Sequence, residues 1–242
     1  MQIFTYSDYE ALSVAAAAKI AALVRQKPGA VLCVGSGDTP TGTYRRLVQL
    51  HQTGELDLGR CVFVGLDEWV GMDKTDTGSC QHALYSELFD PLGVPPERIH
   101  AFNAKAADLQ AECRRIDEAI ARSGGLDLMV VGVGTNGHIA LNEPGTPFDL
   151  GCHVIDLDPV TVQVGQKYFT QATPLTQGIT VGLRHLLEAR EVLLLANGSR
   201  KAAVIAKAIQ GPVTEQLPAS VLQRHANAWV MLDEAAAAEL TL

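Results

Sequence analysis

His138 and Glu143 lie five positions apart in the stretch Gly132-Val133-Gly134-Thr135-Asn136-Gly137-His138-Ile139-Ala140-Leu141-Asn142-Glu143-Pro144-Gly145. An imidazole beside a carboxylate forms a unit in which the acid fixes the ring tautomer and raises its basicity. A histidine between glycine turns and an Asn-Glu-Pro-Gly stop reads as functional rather than as core packing. Asp67 and Glu68 stand at the mouth of an apolar run, where two acids are expensive to bury without a purpose. One of them can act as a general base whose pKa is tuned by partial burial; a solvated loop or a helix cap fits the pair equally. Gly35-Ser36-Gly37-Asp38-Thr39-Pro40-Thr41-Gly42-Thr43 combines glycines, which let backbone approach a ligand, with hydroxyls that donate to anionic oxygens. Thr39 reads as an N-cap and Pro40 as the first helical residue, so the amides of the first turn would form a phosphate site. No Gly-Lys-Ser/Thr follows, so this is no Walker A loop. Lys201, just after Asn197-Gly198-Ser199-Arg200, sits where a cation opposes a helix dipole unless an anion is bound. Ser199 reads as the cap of that helix, and a snorkelling surface lysine fits the stretch as well as a phosphate partner does.

Two other chemistries are set aside. Gly132 to Gly137 imitates a dinucleotide fingerprint, with Asp156 about 20 residues on. A Rossmann loop should open a long helix, whereas Asn142-Glu143-Pro144-Gly145 breaks one almost at once. The seven histidines show no H-x-x-x-H or His/Cys ligand spacing, so no metal is expected.

These groups need a scaffold, and continuous apolar runs supply one. Ala30 to Val34, Cys61 to Leu66, Leu126 to Val133, Glu191 to Ala196 and Ala228 to Leu232 read as strands buried on both faces, as in a parallel sheet. Helical patterns fall between them: from a cap at Asp8 to about Arg25, then Thr41 to His51, Leu109 to Ser123, Ile179 to Ala189, and Ser199 to Gln210. The expected fold is α/β, a doubly wound, mostly parallel sheet with helices on both faces in a Rossmann-like three-layer arrangement. All 242 residues are read as one domain, with an irregular stretch at about 140–175 that forms a lid or site wall. Ligands in such sheets bind beyond the carboxyl ends of the strands, and every candidate group follows a strand.

Composition narrows the partners. Hydrophobic residues make up 47% and charged ones 19% of the chain, which excludes intrinsic disorder. The net charge of −8 excludes a non-specific nucleic-acid or anionic-membrane binder, and a small anionic ligand must therefore find a local positive pocket. No basic leader and no apolar run of membrane-spanning length is seen. Five scattered cysteines without a C-x-x-C read as reduced thiols in a cytoplasmic protein.

Two anion sites, an acid pair and a His–Glu unit suit a phosphorylated sugar. A neutral imidazole would shuttle the ring-hydroxyl proton and open the pyranose. The C2 proton becomes acidic only beside the freed aldehyde, and a carboxylate could then carry it to C1. This is aldose–ketose isomerisation without a metal or organic cofactor.

Leu66-Asp67-Glu68-Trp69-Val70, Gly132 to Pro144 and Gly198-Ser199-Arg200-Lys201-Ala202 resemble the glucosamine-6-phosphate deaminase/isomerase family, from about residue 3 to 234. The resemblance implies conversion of glucosamine 6-phosphate and water into fructose 6-phosphate and ammonia. It implies Asp67 as the C2/C1 proton shuttle, with Glu68 adjacent. It implies His138 in ring opening, supported by Glu143 and Asn136 and flanked by Gly137. Ser36, Gly37, Asp38, Thr39, Lys167 and Lys201 would meet the phosphate or sugar. Lys167 stands where longer members carry arginine, keeping the charge and losing the bidentate fork. Asn136 replaces an aspartate of many members, so its role is orientation. Trp69 for a common tyrosine, with Gly124-Gly125-Leu126-Asp127-Leu128 and Cys152-His153, is closer to the galactosamine-6-phosphate deaminase branch. A 6-phosphogluconolactonase-like hydrolase is the nearest enzymatic rival; it needs no C2 shuttle. A non-catalytic sugar-phosphate sensor is the other rival, but such sensors carry a helix-turn-helix segment for which this chain leaves no room. Longer members with allosteric activation carry a C-terminal extension; this chain ends at Leu242, and no such activation is expected. Homo-oligomerisation is left open.

Overall fold

Asp8 accepts the Ala11 amide at 2.8 Å and so caps the first helix, α1 (Tyr9–Gln26), as its residue type dictates. Leu12, Ala16 and Ile20 recur every four residues and are buried, and Lys27-Pro28-Gly29 ends the helix. Residues 1–241 are described by a computed structural model. Its strands are β1 (Gln2–Tyr6), β2 (Val31–Val34), β3 (Val62–Gly65), β4 (Asp67–Trp69), β5 (Ile99–His100), β6 (Leu128–Val131), β7 (His153–Asp156), β8 (Gln177–Thr180), β9 (Glu191–Ala196) and β10 (Ala228–Asp233). The remaining α-helices are α2 (Asp38–Gln52), α3 (Cys80–Leu84), α4 (Asp90–Leu92), α5 (Leu109–Arg122), α6 (Pro159–Gly165), α7 (Leu183–Glu188), α8 (Ala202–Gln210) and α9 (Glu234–Ala237). A π turn, Tyr85–Phe89, joins α3 to α4.

Seven strands form one sheet in the order β1-β10-β9-β6-β2-β3-β5, every neighbour parallel. Side chains alternate across it. Leu32, Val34, Leu128, Val130, Leu193 and Leu195 pack under α1 and α2 with Leu12, Ile20, Tyr44 and Leu47. Cys33, Met129, Val131, Val192 and Leu194 face the other way, onto Ile116, Leu183, Leu186 and Ile205 of α5, α7 and α8. Each fully buried Leu, Ile or Val contributes about 1.5–3 kcal/mol, so both layers are held by their apolar faces. The three-layer, doubly wound expectation is met. The chain winds outward in opposite directions from β2 and β6, and the crevice between their carboxyl ends is the switch point at which such sheets bind ligands.

A second, three-stranded antiparallel sheet, β4-β8-β7, stands at that end. It overturns one sequence expectation. Ile179 and Thr180 were read into a helix running to Ala189; they lie instead in β8, and the helix is only α7. Ile179-Thr180-Val181 is β-branched throughout, and β8 gains backbone partners from β4 on one side and β7 on the other. Gly182 then brings α7 so close to Leu150 and Gly151 that a Cβ there would sit within 2.2 Å of both carbonyl oxygens. β1 was also unforeseen. It is a half-exposed edge strand whose Phe4 stacks on Trp229 at 5.3 Å.

Candidate active site

The carboxyl ends of β2, β3, β6 and β9 open into one cleft of about 1120 Å³. Ser36, Gly37, Asp38, Thr39, Asp67, His138, Lys167 and Lys201 all line it. Glu68, Asn136, Gly137 and Glu143 are not in its wall. The sequence-predicted residues thus divide into a lining set and a set behind it.

The anion loop differs in detail from its sequence reading. Gly37, not Thr39, is the N-cap of α2; its φ of +116° is the reason for glycine, and no side chain caps the helix. Pro40 is third in the helix, where its missing N–H is still one of the four orphans. Thr39 donates to Asn197 Oδ1 at 2.7 Å and so ties this loop to the one after β9. In that second loop, Ser199 does not cap α8. Gly198 leads into a 3₁₀ turn, Ser199–Lys201, and its amide donates to both oxygens of Asp233.

Two lysines converge on the cleft, with Arg200 also in its wall. Lys201 Nζ donates to the Val133 carbonyl at 2.6 Å. Burial, and then the like charges of Lys167 and Arg200, lower its pKa, a conflict that a bound anion relieves. Lys167 comes from a 3₁₀ turn, Gln166–Tyr168, across the cleft and pairs with Asp38 at 2.6 Å. Asp38 accepts only, so here it holds the lysine rather than offering a donor to phosphate.

Asp67 and Glu68 are neighbours on β4 and point to opposite sides, as strand geometry requires. Asp67 faces the cleft. Burial, reinforced by the Glu68 charge, pushes its carboxyl up to about 7. Glu68 is fully buried and accepts the amides of Trp69 (2.8 Å), Cys80 (3.0 Å) and Gln81 (2.8 Å). It pins the start of α3, and burial raises its pKa against those hydrogen bonds. Glu68 therefore takes up the first amides of α3, whose N-cap is Ser79, and Asp67 lines the cleft.

His138 is held from several sides. Its ring lies on Gly134, where a Cβ would come within 2.4–2.6 Å of the imidazole. Nδ1 is 3.4 Å from Glu143 Oε2 and 3.0 Å from Thr161 Oγ1. Asn136 Nδ2 donates to Glu143 at 2.9 Å, and its Oδ1 accepts the His138 amide. Despite its own burial, Glu143 has a lowered pKa because His138, Thr161 and Asn136 bond its charged form. The loop turns back on itself, with Gly134 N bonded to His138 O at 2.9 Å, and opens no helix. Ala140, beside the cleft, sits at φ +55°, a strained position for a residue with a Cβ.

Thr161 escaped sequence reading because it belongs to no motif; only a hydroxyl in the first turn of a helix marks it. Trp69 and Cys80 also line the cleft. The Trp69 ring packs about 3.5 Å from a Cβ position at Gly165, and its Nε1 is buried without a partner. Spacing pointed away from a metal, yet among the described residues Asp117, Cys152 and His185 gather ligand atoms within 4.8 Å, away from the cleft. They satisfy one another. Asp117 takes His185 Nε2 at 2.5 Å and the Cys152 amide at 3.0 Å, with Arg184 3.7 Å away, locking β7 to α5 and α7.

The family model described as glucosamine-6-phosphate isomerases/6-phosphogluconolactonase matches residues 8–231. The glucosamine-6-phosphate deaminase of Shouchella clausii is 38% identical over 100% of this chain and 98% of its own. Glucosamine-6-phosphate deaminase 1 of Bacillus subtilis is 37% identical over 98% of both. The solved structure of a monomeric glucosamine-6-phosphate deaminase superposes with a TM-score of 0.96 at 36% identity, covering 99% of this chain and 100% of that one. The 6-phosphogluconolactonase from Trypanosoma brucei shares the fold, with a TM-score of 0.78 at 20% identity over 99% and 98% of the two chains. Matched almost end to end by the model and by these deaminases, the chain belongs to the family of glucosamine-6-phosphate isomerases and 6-phosphogluconolactonases.

Proposed function

We propose that the protein converts glucosamine 6-phosphate and water into fructose 6-phosphate and ammonia. The observation that carries this reading is a single cleft lined by Asp67, His138, Lys167 and Lys201. Deaminase relatives that align along the whole chain support it. The phosphate takes Lys201, Lys167 and the first-turn amides of α2, which no side chain occupies. His138, with Glu143 ionised behind it, takes the ring-hydroxyl proton and returns it to the ring oxygen, freeing the C1 aldehyde. Asp67, with its pKa raised to about 7, removes the C2 proton while the substrate's ammonium gives a proton to O1, leaving an enolamine, and then delivers the C2 proton to C1. The resulting C2 imine adds water and expels ammonia, leaving the ketone. Asn136 and Glu143 act behind the imidazole, and Glu68 behind the strand.

The stretch at about 140–175 serves as a lid. Val160 and Val164 of α6 are exposed although they border the cleft, and a further closure would cover them. Among the described residues no helix is long and apolar enough to cross a membrane. Five free, buried cysteines suit a reducing cytoplasmic setting. Ammonia release from glucosamine 6-phosphate and from its C4 epimer galactosamine 6-phosphate, side by side with N-acetylated and lactone controls, tests the reading. Trp69 makes the epimer an essential arm. Release from the glucosamine compound is expected; hydrolysis of the lactone with no ammonia from either amino sugar would replace this reading with the lactonase one.

A further inference from the structure

Within the proposed reaction, one contact has no counterpart in the sequence reading. Thr161 is almost wholly buried, in the first turn of α6, on the segment that borders the cleft opposite the sheet. Its Oγ1 lies 3.0 Å from His138 Nδ1, nearer than the Glu143 carboxylate at 3.4 Å. Asn136 Nδ2 approaches the same hydroxyl at 3.5 Å, and the Asp158 amide, which precedes α6, donates to Glu143 Oε1 at 3.3 Å. The start of α6 is thus docked on both members of the His–Glu unit.

The donor inventory fixes the direction of the bonds. Glu143 is ionised and accepts only, and its Oε2 lies 3.4 Å from His138 Nδ1. The nitrogen that faces this acceptor-only carboxylate carries the hydrogen, so Nδ1 is the donor and the Thr161 hydroxyl at 3.0 Å accepts from it. Among the described residues no protein group bonds His138 Nε2, which is left as the basic nitrogen. The direct His–Glu separation is too long to hold the ring as firmly alone.

We propose that Thr161 is a positioning residue whose hydroxyl holds His138 as the Nδ1–H tautomer, so that the ring-opening base is competent only while the first turn of α6 is seated. The proposal rests on the ring-opening role given to His138 above. A valine at 161 keeps the β-branched shape and removes the hydroxyl; a serine keeps the hydroxyl.

The test reads the substrate-free protein first. Ring ¹⁵N spectra of histidine-labelled protein should show His138 protonated at Nδ1 in the wild type and in Thr161→Ser, and a shift toward Nε2–H in Thr161→Val. In turnover, Thr161→Val should lower kcat on glucosamine 6-phosphate about tenfold with KM within about twofold. The loss should be smaller on an analogue lacking the 5-hydroxyl, which cannot close a pyranose, and Thr161→Ser should restore the rate. An Nε2–H tautomer in the wild type, an unchanged tautomer in Thr161→Val, or equal losses on both substrates would overturn the proposal. If the wild type releases no ammonia, the deaminase reading fails, while the ring spectra still decide the role of Thr161.

Discussion

The two faces of β4 carry adjacent carboxylates that have opposite fates. Toward the cleft, Asp67 has no amide donors to hold its charge, and burial raises its pKa to about 7. Toward α3, Glu68 is saturated by three backbone amides and cannot leave them. Glu68 is fully buried and Asp67 only partly so, and both were equal candidates for a base in the sequence. What separates them is backbone hydrogen bonding: a carboxylate committed to three amides has little acceptor capacity to spare, and one without amide donors is free to take a proton. Strand alternation turns a single step along the chain into that division.

The comparison can be broken most easily at its two ends. Asp67→Asn should cut turnover by roughly 10²–10⁴-fold while a product analogue still binds, as measured by steady-state kinetics and titration. Glu68→Ala should act on stability instead. Three buried amides lose their acceptor, so denaturant unfolding should show a loss of about 3–5 kcal/mol, while the acid limb of the surviving folded fraction moves to lower pH because the Glu68 charge no longer raises Asp67. If the two variants exchanged these signatures, the assignment of the two faces would be wrong.

Acidity sharpens the contrast. The Asp67 carboxyl binds its proton more tightly folded, at about 7, than at its ordinary value of 3.8. Its contribution to stability is therefore complete below about pH 4 and is lost as pH rises through about 7. At pH 8, Asp67→Asn should be more stable than the wild type by roughly 2–4 kcal/mol, while at pH 4 the two should converge. The same group should give kcat/KM an acid limb near pH 7. A stability gap that does not change with pH would contradict the raised pKa.

Smaller effects lie at the phosphate end. Lys201→Met should raise KM by roughly 10–100-fold, the loss of one or two charge-assisted hydrogen bonds. Lys167→Met should cost less, since Lys167 is half exposed and shares its charge with Asp38.

What could be read from the chain follows the same division. β2, β6 and β9 are buried on both faces, so their apolar runs announced them, and polar clusters at their ends announced the cleft. β4, β7 and β8 are three or four residues long and mix polar with apolar residues, and each depends on a partner distant in sequence. Runs this short carry only a weak local signal, the β-branched Ile179-Thr180-Val181, and Ile179-Thr180 fell into a helix for that reason. Asp67 and His138 were legible because an acid pair at the mouth of an apolar run, and an imidazole between glycine turns, are unusual. The roles of Glu68 and Thr161 were not, because each is set by atoms that only the fold brings near: three amides for one, a ring nitrogen for the other.

The central claim is that Asp67 itself carries the proton between C2 and C1. Glucosamine 6-phosphate bearing deuterium at C2 reports on it directly. The wild type should release ammonia with C2 label removed and part of it recovered at C1 of fructose 6-phosphate. Asp67→Asn should leave the C2 label in place. Loss of that label in Asp67→Asn at the wild-type rate would show that another group does the work, and the account would fail.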